Sequence, residues 1–192
     1  MKRVVCGLFS LVIGVGFSGC SSSPPKEVAA EKGALECLQE KAAKITATSG
    51  MIEIGTGESS TRQMAITRAR ADARSNLALQ AQEKIISLRD AYVREAGIST
   101  ESASGRFFSS AASQLTANTL LETSPRDQQV EEKDGTFTAY VLMVLSPEFI
   151  DDFLKNSKGA GDLYERFNSS KTHRKFEKEI RAYREATEPG FF

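Results

Sequence analysis

Residues 12–23 read VIGVGFSGCSSS, an apolar run that ends at Cys20 and passes at once into small hydroxyl residues. The Cys20 thiol is a core residue, half of a disulfide or an attachment point. The chain offers few other groups for chemistry. A metal site needs clustered histidine, cysteine or carboxylate ligands, and the only histidine, His173 in KTHRKFEKE, has no companion ligand at usable spacing. A serine nucleophile would need that same histidine as its base, and the segment around it reads as a late, mobile helix. Gly55-x-Gly57 ahead of a helix has the outline of a phosphate-binding turn. The third glycine is missing, however, and Glu58 brings negative charge where phosphate would sit. Asp151 and Asp152 are adjacent, so on a helix they diverge and do not form an acid and base pair. No catalytic residue, metal ligand or cofactor-binding residue is therefore assigned, and no cofactor is expected.

The elements before Cys20 decide what its thiol is for. Met1-Lys2-Arg3 is a basic start, and Val4 to Phe17 carry no charge. A spanning helix needs about 20 apolar residues, and this run is shorter, as in a signal-peptide h-region. Gly16-Phe17-Ser18-Gly19 puts small residues before the cysteine, where a protease must admit the backbone. This stretch resembles the lipobox of bacterial lipoproteins, with Phe17 where leucine is commonest. That likeness implies cleavage of residues 1–19 and a diacylglycerol thioether on Cys20, the new N-terminus. Acyl chains contribute about 0.8 kcal/mol per buried methylene, and more than one chain gives stable anchoring without a span. By resemblance to Gram-negative lipoproteins, Ser21 after the cysteine implies transport to the outer membrane, on its periplasmic face. An ordinary secretory signal cleaved near Gly19 is the alternative.

Composition narrows the partners. The chain carries 25 basic and 25 acidic residues, and loss of Lys2 and Arg3 with the signal leaves 23 against 25. Nothing there suggests nucleic acid. Of the three cysteines, only Cys37 keeps a free thiol once Cys6 is cleaved away and Cys20 is lipidated, so no disulfide framework can form. Cys37 in ALECLQEKA reads as a small buried residue on a helix, with an intermolecular bridge in the periplasm as the sharper alternative.

Residues 20–33 (CSSSPPKEVAAEKG) form a lipidated polar tether that cannot order itself by burial. Residues 34–157 read as an α+β domain. Leu35, Leu38, Ala42 and Ile45 recur at helical steps, and Met51 to Glu58 alternate Ile52, Ile54 and Thr56 with Glu53 and Gly55, as in a strand that the glycines loosen near its end. Ile66, Ala69, Ala73, Leu77, Ala81, Ile85, Leu88 and Tyr92 mark one long helix, capped by Ser60 or Thr61 and ended by Gly97. Its alanine-rich first half can approach a sheet closely. Arg62, Arg68, Arg70 and Arg74 crowd this helix, and a solvated face partly paired with Glu58 and Asp72 is expected ahead of an anion site. Thr100 to Glu122 reads as a second helix.

A hairpin follows, turning at Asp134-Gly135, with a polar edge arm after Pro125. The second arm, Thr136 to Leu145, is apolar on both faces and should be the most buried strand, with a helix or a second subunit over its far face. Ser146-Pro147-Glu148 starts another helix. Residues 158–192 form a charged helical extension in which Leu163, Phe167, Phe176, Ile180 and Tyr183 serve either docking on the domain or binding of a partner.

Three features then stand together: the lipobox cysteine, the strand-to-helix block IGTGESSTRQMAITRARADARSNLA, and the hairpin DQQVEEKDGTFTAYVLMVLS after a serine-rich helix. In this combination the chain is similar to the twenty-kilodalton Helicobacter-type outer-membrane lipoprotein family, which includes flagellar lipoproteins. The run Ala65-x-x-x-Ala69-x-Ala71-x-Ala73-Arg74 with Leu77 carries most of the likeness, which spans about Met51 to Leu145. The resemblance implies an α+β fold, a long helix packed on a small antiparallel sheet, and no enzymatic activity; with the residue patterns the expected order is strand, helix, helix, hairpin, with additional C-terminal helices. It departs in the polar arm SPRDQQVEEK and after Ser157. The expected function is a structural or interaction lipoprotein of the cell envelope, in a flagellar or motility setting among others. Its expected partners are the membrane through Cys20 and either copies of itself or another envelope protein. A periplasmic lipid-binding or small-ligand-binding lipoprotein is the alternative.

Overall fold

The alanine half of the long helix meets a strand that has no side chains to keep it away. In the computed structural model, which describes residues 33–46, 50–121 and 123–187, strand β1 (Met51–Ser59) leads directly into helix α2 (Arg62–Ala96), and the two pack along each other. A Cβ placed on Gly55 would lie 2.1 Å from the Ala69 carbonyl oxygen and 2.4 Å from the Ala73 nitrogen. One on Gly57 would lie 2.4 Å from both the Ala65 oxygen and the Ala69 nitrogen. The glycines therefore do not loosen the strand, as the sequence suggested. They let helix backbone touch strand backbone, opposite alanines that are fully buried.

The sheet has three antiparallel strands in the order β1-β3-β2, where β2 is Asp127–Lys133 and β3 is Thr136–Leu145. The hairpin turns at Asp134 and Gly135, both at positive φ (52° and 75°), the conformation of a tight two-residue connection that follows the strand twist. The central strand has two apolar faces, and each is used. Ala139, Val141, Met143 and Leu145 join α2 in the main core, while Leu142, Tyr140 and Val144 meet Ile52, Ile54, Leu38 and Ile45 on the other side. Leu38 and Ile45 belong to helix α1 (Ala34–Thr46), so a helix of the same chain covers the far face of the sheet. The Lys41–Asp127 ion pair and a 2.8 Å bond from the Ala34 N–H to the Glu131 carboxylate tie α1 to β2.

Both flanking strands are edges, and side chains of α2 bond part of the β1 edge. Gln80 donates to the Ile52 carbonyl at 3.1 Å, Arg68 donates to the Glu58 carbonyl at 2.5 Å, and the Asp72 carboxylate accepts the Thr56 N–H at 3.0 Å. All three side chains come from α2. Successive strand residues point their backbone groups to opposite sides, so Ile52, Ile54, Thr56 and Glu58 face away from β3, and three of these four residues have one outward group bonded by α2.

Helix α2 ends at Gly97 in the left-handed conformation (φ 63°), and its N-cap Thr61 makes no side-chain capping bond. The second helix is shorter than the sequence suggested. Helix α3 (Ala103–Gln114), capped by Ser102 on the Gly105 N–H, gives way to a turn of 3₁₀ helix at Ala117–Leu120, started by reciprocal bonds between Thr116 and Thr119. Thr116 competes for the backbone, and a short capping box replaces the α-helical ladder.

Beyond helix α4 (Pro147–Asn156), the C-terminal stretch forms helices α5 (Gly161–Asn168) and α6 (Lys171–Thr187). Phe167 and Phe176 are fully buried in the main core, and the described residues from 33 to 187 belong to one compact unit. Of the two roles the sequence left open for this stretch, docking on the domain is the one realised. Phe167 is its hub, with ring centroids 5.0 Å from Phe108 of α3, 5.7 Å from Tyr92 of α2 and 5.0 Å from His173 of α6. Such edge-to-face pairs each add about 0.5–1.5 kcal/mol beyond the area they bury.

Candidate functional site

Cys20, the assigned lipidation site, lies outside the described residues, as does the tether apart from Gly33. Cys37 carries a free thiol, half-buried on α1 beside Leu38. The remaining candidates fall within the described fold. Gly55-x-Gly57 is not a turn but the interior of β1, with α2 backbone 2.1 to 2.4 Å from where a Cβ would stand, far inside van der Waals contact, so no phosphate can enter there.

Among the arginines grouped in the first half of α2, two hold backbone carbonyls and one a side-chain amide. Arg68 holds the Glu58 carbonyl, Arg70 donates to the Gln128 side chain at 3.0 Å, and Arg74 donates to the Leu121 carbonyl at 3.0 Å. Asp72 and Glu58, the partners the sequence offered, act on or through the backbone of β1 instead. The Nε atoms of Arg70 and Arg74 are buried and have no partner in the described fold.

The one cluster of titratable groups with catalytic character is a product of the C-terminal helices. His173 is 2% exposed, and its Nε2 lies 3.0 Å from the Asp151 Oδ1. The Tyr164 hydroxyl donates to the same oxygen at 3.0 Å. Burial, then the negative charge of Asp151, pushes the Tyr164 phenol well above its usual range, so it remains a neutral donor. One carboxylate on α4 thus joins a phenol on α5 to an imidazole on α6. The expectation of a mobile, companionless histidine is overturned: His173 lies on the same helical stripe as Phe176 and Ile180, three and seven residues on, and is buried with them. That stripe was the available signal, and it was read without its histidine. Asp151 gave no signal of its own, because only the tertiary fold sets α4 beside α6.

The cluster's chemistry is that of a brace. The ring is shielded from solvent, and its Nδ1 is buried without a partner. The nearest hydroxyl of its own helix start, that of Ser170, accepts the His173 backbone N–H at 3.0 Å as a helix cap. Beside it, the Glu95 carboxylate at the end of α2 accepts the Lys171 and Thr172 backbone N–H groups at 2.8 and 2.7 Å, and the Thr172 hydroxyl at 2.7 Å. The bond from the Lys171 N–H, followed by that from the Thr172 hydroxyl, holds the Glu95 carboxyl below its usual pKa. This is a carboxylate on the positive end of a helix dipole, and it fastens α6 to α2.

Surface depressions of about 260 to 660 Å³ mix charged and apolar lining; one of about 490 Å³ opens beside His173, Asp151 and Tyr164, and one of about 380 Å³ lies between α1 and the sheet at Lys41, Ile45, Asp127 and Leu142. The space between sheet and α2, where a lipid pocket would lie in this architecture, is closed to backbone contact. Among the described residues, no group of three or more histidine, cysteine or acidic side chains is placed to hold a metal ion, and no helix is long and apolar enough to cross a membrane. Comparison of the chain with protein-family models, with curated proteins and with solved structures finds no match.

Proposed function

We propose that this chain is a non-enzymatic lipoprotein of the bacterial outer membrane, anchored through Cys20, that acts as a structural or interaction component of the cell envelope. The resemblance to Helicobacter-type lipoproteins makes a flagellar or motility assembly one setting for it. The observation that carries the reading is the stretch GFSGCSSS behind a short, uncharged apolar run, too short to span and placed ahead of a polar tether. The fold beyond the tether supports it. Both faces of the sheet are covered by helices of the chain, the histidine ring is buried against Phe167 and Tyr164 at the floor of a surface depression of about 490 Å³, and the binding capacity that remains is on the surface.

The test is fractionation of the native host. The wild-type chain pellets with outer membranes, and intact-mass measurement finds a lipid-modified N-terminus at Cys20. Cys20→Ser leaves the folded domain in the soluble fraction. A wild-type N-terminus at another residue, without added lipid mass, refutes the proposal.

A further inference from the structure

The two rims of the sheet are treated differently. Antiparallel alternation carries the pattern from β1 across the sheet. The residues of β1 that face β3 are the odd ones, so Val141 and Ala139 turn toward β1, while Leu142, Tyr140 and Thr138 turn toward β2. Their partners Asp127, Gln129 and Glu131 turn inward, which leaves Gln128, Val130 and Glu132 with outward backbone groups. In agreement, the Gln128 N–H bonds the neighbouring Asp127 carboxylate at 2.7 Å and not β3. No α2 side chain holds an outward backbone group of β2 as three of them do on β1, and among the described residues β2 is an open rim seven residues long.

The sequence of that rim complements itself. From Asp127 it reads DQQVEEK. Laid antiparallel to a second copy about Val130, Asp127 falls opposite Lys133, Gln128 opposite Glu132 and Gln129 opposite Glu131. Every charged residue meets a charge of opposite sign or an amide, and no like charges face each other. The centre also has the correct parity, because Val130 is an outward residue and two copies can exchange both N–H···O bonds there. Gln128, Val130 and Glu132 share the α2 face of the sheet. The two half-buried valines would then meet side by side, and Glu132 of one copy would come beside Gln128 of the other. Gln128 is where Arg70 donates its one hydrogen bond to a neutral amide, with a buried Nε left unpartnered. A carboxylate arriving there supplies the anion that this guanidinium lacks.

We infer that β2 is a self-association edge: two copies of the chain pair β2 to β2 about a two-fold axis through Val130, forming one six-stranded antiparallel sheet. The interface is isologous and closed. Of the two partners the sequence left open, copies of the chain or another envelope protein, it names the first, and it rests on the proposed function only for the membrane setting that concentrates the copies.

The test uses the full chain in detergent micelles, followed by sedimentation. The wild type sediments as a dimer. Lys133→Glu sets glutamate against Asp127 of the other copy, and Asp127→Lys sets lysine against Lys133. Each variant alone weakens dimerisation about tenfold or more, because two like-charged pairs arise per dimer. Mixing the two variants restores it, since the pairs are again of opposite sign. This rescue separates a register-specific contact from misfolding, which matters because Asp127→Lys also removes the contact with Lys41. Glu132→Lys, at an exposed position, weakens dimerisation independently by placing a cation beside Arg70. A wild type that stays monomeric leaves the edge to a different partner and overturns the inference, as do single variants that dimerise unchanged or a mixture that stays apart. A monomer that still pellets with membranes through Cys20 ends this inference alone and leaves the lipoprotein reading standing.

Discussion

Replacing Gly55 by alanine tests the contact on which the fold is built. In a strand interior, glycine to alanine ordinarily stabilises by about 0.5–1 kcal/mol, because the unfolded chain loses freedom. Here the new methyl would stand 2.1 Å from the Ala69 oxygen, 2.4 Å from the Ala73 nitrogen and 2.8 Å from the Ala73 Cβ, where ordinary contact begins near 3.4 Å. The obstacle is backbone, which cannot rotate aside, so α2 must retreat by roughly 1 Å along its alanine face. A gap of that size forfeits about a quarter to a half of each dispersion contact it opens. Overpacking alone costs about 1–3 kcal/mol. The sum is a loss of about 3 kcal/mol or more, from a total that is about 5–15 kcal/mol for domains generally.

The chain has no tryptophan, so urea unfolding is followed by far-ultraviolet circular dichroism. Gly57→Ala should behave in the same way, and Gly97→Ala serves as the control. Gly97 has open space around it, and only its left-handed backbone (φ 63°) opposes a side chain, at a cost of about 1 kcal/mol. If Gly55→Ala is as stable as the wild type or more so, the helix does not ride on the strand as described.

The Glu95 bond predicts a pH dependence of known sign. Its carboxyl is held below the ordinary glutamate value of 4.5 in the folded state, so its contribution is fully present above that pH and is lost as the pH falls through the folded value. Thermal melts of the wild type and Glu95→Gln should differ at neutral pH and converge in acid below about 4.5; a difference that grows in acid would contradict the bond. Phe167→Ala should cost about 3–5 kcal/mol, as for a fully buried core aromatic, although it lies in what the sequence marks as an extension. Equilibrium unfolding that shows a change below 1 kcal/mol would mean that α5 is not part of the core.

Periodicity carried most of the architecture, because long apolar stripes survive whatever the tertiary fold does. The stripe from Ile66 to Tyr92 and the two-faced run from Thr136 to Leu145 are both found where the spacing placed them, and the Asp134-Gly135 turn needs only local geometry. What failed to show was information held in missing or polar side chains. Gly55 and Gly57 looked like weakness in a strand because a residue without a side chain adds nothing to a hydrophobic pattern, yet the alanines of α2 were their complement. His173 looked isolated for a related reason: Asp151 and Tyr164 reach it only after three helices have folded back on one another. The cover on the far face of β3 was left between a helix and a second subunit, and periodicity had no means of choosing, since Leu38 and Ile45 announce a face but not its destination. Cys20 is the opposite case, a reading made from local chemistry that the described fold does not touch.

Exposed strands invite end-on addition without limit, the route by which sheet proteins crowded on a surface turn into fibres. Gln80, Asp72 and Arg68 hold backbone groups along one border of this sheet, so a strand adding there would first have to displace them. If copies pair through β2 as inferred, the borders left outward are the ones α2 already engages, which favours discrete pairs over fibres.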